Sequence, residues 1–187
     1  VATGAPWHGC MANSGAVFYI AGEGHNGIAR RLKAWELQRQ TSLAEAPLFV
    51  SETSANLSDY ASAIEVAQTV KAMADEIGQA PALIVVDTLA RNFGGDENSA
   101  TDMGAFIRHL DGMRHEWKAT VLIVHHSGKD KSKGARGSTA LRGAVDAEYS
   151  ATKDEYGAIT LESGKMKDAE PPCLLYTSDA ADEGLGV

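Results

Sequence analysis

Cysteine is almost missing from this sequence. Its two copies, Cys10 and Cys173, lie far apart without metal-ligand spacing, so a reducing cytoplasm is the expected compartment. Long apolar runs are missing as well: none approaches the roughly 18 residues that a membrane helix requires. The opening Val1-Ala2-Thr3-Gly4 has no initiator Met, no basic region and no apolar signal core, and reads as a cut edge rather than a natural beginning. An excess of positive charge is also lacking. Lys and Arg number 17 against 25 Asp and Glu, a net charge of −8, which argues against a uniformly basic nucleic-acid surface. It leaves room for a few basic residues concentrated in one channel.

What is present is ordinary for a soluble globular chain. Hydrophobic residues make up 44% and charged residues 22% of 187, enough for one domain with a sizeable core. Apolar runs and amphipathic stretches alternate along it. Ala16–Ala21, Pro47–Val50, Ala82–Asp87 and Thr120–Val124 read as buried strands. Between them, Ile28, Leu32 and Trp35 recur at helical spacing. Ile64, Ala67, Val70, Ala74 and Ile77 mark one face of a helix ended by Gly78, and Met103, Phe106, Ile107, Leu110, Met113 and Trp117 mark another. Residues 147–152 and 158–163 alternate as a hairpin around 154–157. The expected fold is α/β, a mainly parallel sheet flanked by helices, with the hairpin adding an antiparallel edge.

In such sheets ligands gather at the carboxyl ends of the strands. Three predicted strand ends carry polar groups: Glu23 within Gly22-Glu23-Gly24, Asp87 followed by Thr88, and His125-His126. An acid closing an apolar strand has the form of a Walker B carboxylate, which holds the hydration shell of Mg²⁺ because that hard cation prefers oxygen ligands. A strand-end or capping Asp looks the same in isolation. Glu23 is placed to orient or deprotonate a water, or is a solvated loop acid; His126 is a phosphate contact, or a hydrogen-bonded strand-end imidazole.

The polar stretch 127–137 carries Lys129, Lys131, Lys133 and Arg136 among small residues. It suits a sequence-tolerant contact to a single-stranded nucleic-acid backbone, or is simply a solvated loop. Lys165 and Lys167, at i and i+2 on a predicted strand, point the same way and can reach one anion, or else guard an exposed edge. Gly128-Lys129 imitates a phosphate-binding loop, but Asp130 stands where Ser or Thr is needed, and no G-x-x-x-x-G-K-[ST] segment occurs.

In order, Phe18–Gly24, Leu83–Phe93, Val124–Lys129 and Arg136–Arg142 resemble the RepA-type branch of RecA-like AAA ATPases of plasmid and phage replication modules. The resemblance spans about residues 1–172. It implies a RecA-like P-loop NTPase core that lacks the Walker A strand, loop and helix, which in the family precede the segment matching Val1–Trp7. It also implies ATP and Mg²⁺ as cofactors, with Glu23 activating water, Asp87 anchoring Mg²⁺ beside Thr88, and His126 sensing the γ-phosphate. Arg31 falls near a basic residue of the family's next helix. Lys165 and Lys167 match the pair that reaches the neighbouring subunit of hexameric helicases; Lys167 stands where Arg is common, losing the bidentate fork.

A missing central strand predicts a hydrophobic gap against 82–87 and 120–126 and poor stability of the isolated polypeptide. Residues 173–187 resemble a translated sequencing adaptor and are set aside as a non-native or disordered tail. The intact protein is thus expected to be a Mg-ATP-dependent motor, a hexameric replicative DNA helicase acting on single-stranded DNA, inactive as this chain and without membrane contact. Two other classes fit the same residues: an ATP-dependent DNA-binding regulator that does not translocate, and a non-nucleotide enzyme using Glu23, Asp87 and His126 as an acid/base cluster.

Overall fold

Apolar runs become strands and amphipathic stretches become helices in the computed structural model of the chain, which describes residues 1–7, 10–126, 139–168 and 170. In chain order the elements are β1 (Ala16–Ala21), α1 (His25–Arg39), β2 (Leu48–Val50), α2 (Tyr60–Ile77), β3 (Pro81–Asp87), α3 (Leu89–Phe93), α4 (Ala100–Trp117), β4 (Thr120–Val124), α5 (Thr139–Ala144), β5 (Ala147–Lys153) and β6 (Ile159–Met166). The chain divides into two compact units, Val1–Ala140 and Leu141–Val187.

The first unit is an α/β layer structure around a parallel sheet, ordered β2-β1-β3-β4 among the described residues. Helix boundaries follow local chemistry. Asp59 caps α2 by accepting from the Ser62 N–H at 2.9 Å, and Gly78 ends it in the left-handed region (φ 66°), which costs a residue without Cβ nothing. Ser99 caps α4 by accepting from the Asp102 N–H, while Arg114 and His115 sit in its last turn, where the helix dipole favours positive charge. Met103, Phe106, Leu110 and Met113 of α4 are buried, and Phe106 meets Phe93 of α3 edge-on, ring centroids 5.4 Å apart.

The buried face of α2 is turned from the expected one. Val70 and Ala74 are buried as read, but Ala63 joins them, and Val66 and Met73 pack on Ala16 and Phe18 of β1. Ile64 and Ile77 are each 39% exposed.

Two further expectations change. Strands β3 and β4 pair directly, Leu83 with Thr120 through to Asp87 with Val124, so no gap separates them. The uncovered apolar surface lies instead on β4, the terminal strand of the sheet among the described residues, where Leu122 is 50% exposed. The hairpin does form, with the expected turn, but β5 and β6 make their own two-stranded antiparallel sheet rather than an edge of the parallel one. Among the described residues no helix is long and apolar enough to cross a membrane.

Candidate functional site at the strand tips

Because β1, β3 and β4 are parallel neighbours, their carboxyl ends emerge side by side. The register aligns Ala21 with Asp87 and Asp87 with Val124. Glu23 lies two residues beyond Ala21, and His126 two beyond Val124, so the three residues read as a group from the sequence share one edge of the sheet. The Gly22 N–H donates to the Asp87 carbonyl at 2.6 Å and fastens the first two tips together.

Each acid has a partner. The Tyr19 hydroxyl, from β1, donates to Oδ2 of Asp87. Burial pushes the Tyr19 phenol up to about 12, helped by the hydrogen bond to Asp87 and by that residue's negative charge; Arg31 of α1 pulls the other way. Glu23 accepts from Nε of Arg91 on α3 at 2.8 Å, with the side chains 47% and 61% exposed.

Thr88 is buried, 4% exposed, and its contribution here is its carbonyl, which accepts from the Arg91 and Asn92 N–H groups and from Nδ2 of Asn92. Fully buried Asn92 is the fixed point of this edge. Its Oδ1 accepts from the Ala55 N–H at 3.0 Å and its carbonyl from the Leu57 N–H at 2.8 Å, tying α3 to the segment after β2. That segment is held again at Ser51, whose Oγ accepts from the Ala21 N–H and whose carbonyl accepts from Nε2 of His25.

Lys165 and Lys167 belong to the second unit. They do point the same way, and their ammonium groups converge on the C-terminal end of α5. Lys165 donates to the carbonyls of Arg142, Gly143 and Val145, and Lys167 to the carbonyl of Ala144 and to Oδ1 of Asp146. A pair of cations satisfying the last carbonyls of a helix complements its dipole. Lys129, Lys131, Lys133 and Arg136 lie outside the described residues, as do residues 173–187.

Tyr19, Arg91 and Asn92 lie within the segments that carry the resemblance, but the sequence reading gave none of them a role. Tyr19 looks like one more β-former in an apolar run, and Arg91 and Asn92 like the polar residues of an ordinary turn. The available signal was a polar tip within a buried strand and an Asn inside the otherwise apolar stretch around Phe93.

Chemically, the edge offers the carboxylates of Glu23 and Asp87, the His126 imidazole and the Arg91 guanidinium. Among the described residues no three His, Cys, Asp or Glu side chains gather into a metal cluster. Mg²⁺ needs none, since it keeps most of its waters and takes one or two carboxylates together with substrate phosphates. Asp87, held by Tyr19, fits that requirement; a glycine-rich cradle of amides for the phosphates is not among the described residues. Residues 1–132 match the family described as the AAA domain. No curated protein matches the chain.

Proposed function

Because the chain belongs to the AAA domain family, an ATPase type of domain, we propose that it is the hydrolytic part of a Mg-ATP-dependent DNA motor, a replicative helicase of the plasmid and phage kind. The observation that carries this reading is the alignment of the Glu23, Asp87 and His126 strand tips along one sheet edge. Bound Mg-ATP supplies the scissile phosphate and the metal's positive charge. With these bound, Asp87, oriented by Tyr19, would hold the metal's hydration shell, and Glu23 would take the proton of the water that displaces ADP from the terminal phosphate. His126 would contact the terminal phosphate, and Arg31 would add positive charge to the nucleotide site. Lys165 and Lys167 serve a neighbouring subunit of a hexamer by leaving the α5 carbonyls, and the basic segment 129–136 meets single-stranded DNA in the cytoplasm.

With no G-x-x-x-x-G-K-[ST] segment in its sequence, the 187-residue chain on its own turns over no ATP in this reading. The test extends the polypeptide upstream with the strand, phosphate-binding loop and helix of the family. The extended protein is expected to hydrolyse ATP faster with single-stranded DNA and to lose most activity on Glu23→Gln. Full activity in that variant removes Glu23 from the mechanism. A strand-displacement assay beside it separates the motor from an ATPase that only binds DNA.

A further inference from the structure

We propose that Arg91 is the positioning residue of Glu23, a role that rests on the reading of Glu23 as the water-activating acid. Glu23 stands between Gly22 and Gly24, the latter in the left-handed region (φ 72°), so its backbone alone confers little fixed direction. Arg91, by contrast, starts from an anchored position. Its N–H is bonded to the Thr88 carbonyl, and its neighbour Asn92 is fully buried with bonds to Thr88, Ala55 and Leu57.

The two sites meet without slack: a Cβ built on Gly22 would lie 2.2 Å from Cβ of Arg91 and 3.0 Å from Nδ2 of Asn92. From that base Nε of Arg91 reaches the Glu23 carboxylate at 2.8 Å. Among the described residues of the first unit, the other ion pairs, Lys33–Glu36, Lys71–Asp75 and Asp111–Arg114, join neighbours on one helix. Glu23–Arg91 joins residues 68 apart and links the tip of β1 to α3. A half-exposed pair contributes little to holding a fold together. A pair anchored on one side by a buried asparagine instead gives direction to a carboxylate that would otherwise sample many rotamers, and direction is what a water-activating acid needs.

The test uses the upstream-extended protein with Arg91→Ala, Arg91→Lys, Glu23→Gln and the double variant Glu23→Gln/Arg91→Ala. Arg91→Ala is expected to lower kcat by about 10- to 100-fold with KM for ATP little changed. Arg91→Lys should recover part of the loss as a point charge, and the double variant should be no slower than Glu23→Gln alone. In the 187-residue chain, the Arg91 Nε–H resonance should move when Glu23 becomes Gln, a readout independent of turnover. Wild-type kcat in Arg91→Ala, a rise in KM in place of the fall in kcat, additive losses in the double variant, or an unmoved resonance each overturns the proposal. Should Glu23→Gln itself retain activity, the underlying reading of Glu23 fails, and the resonance still reports whether the pair exists.

Discussion

In β1 five of six residues are buried, whereas in β5 six of seven are exposed. The parallel sheet is made of short apolar runs packed against α2 and α4. Among the described residues of its own unit, the hairpin has no comparable cover. It is held by its antiparallel ladder, by the lysines on the end of α5 and by the Arg142–Glu148 ion pair at 2.9 Å. One region therefore depends on packing and buried hydrogen bonds, the other on exposed polar contacts for which water competes. The candidate acids sit in the first region and the candidate trans-acting cations in the second.

That contrast is open to measurement, and the largest effect belongs to the core. Phe106→Ala removes a fully buried ring from its contact with Phe93 and is expected to cost about 3–5 kcal/mol by urea denaturation. Next, Asn92→Ala removes a fully buried amide and leaves the part-buried Ala55 N–H without its acceptor, and should cost about 1–3 kcal/mol. An effect near zero there would remove Asn92 as the fixed point of the strand-tip edge.

A third measurement concerns pH. The Tyr19 phenol holds its proton more tightly folded than unfolded, so its contribution to stability is complete below about pH 10 and fades as pH rises toward about 12. Tyr19→Phe should flatten the alkaline slope of a denaturation series; an unchanged slope would detach Tyr19 from Asp87. The smallest effect belongs to the hairpin. Lys165→Ala frees carbonyls that water can reach, and a loss below about 1 kcal/mol is expected. A loss as large as that of Asn92→Ala would break the comparison.

Much of the sheet was legible from the chain because burial on both faces leaves an unbroken apolar run, as in Ala82–Val86, and the burial period of α4 is written in Met103, Phe106, Leu110 and Met113. The short helices α3 and α5 were not, since five or six residues give too little periodicity to register. The turned face of α2 depended on which partner it met, and the independence of the hairpin on hydrogen bonds it does not make to the parallel sheet. At the strand tips, Glu23, Asp87 and His126 were readable because each follows an apolar run. Their companions were not: Tyr19–Asp87 and Glu23–Arg91 each link positions 68 apart, a relation that no local pattern encodes.

The crowding at Gly22 has a consequence for descent. Any side chain at position 22 must displace α3, and α3 carries both the guanidinium facing Glu23 and the amide that staples the edge. Positions 22, 91 and 92 should therefore drift together: homologues that abandon the glycine are expected to have lost the arginine or the asparagine as well, and to have found another way to aim the acid between them.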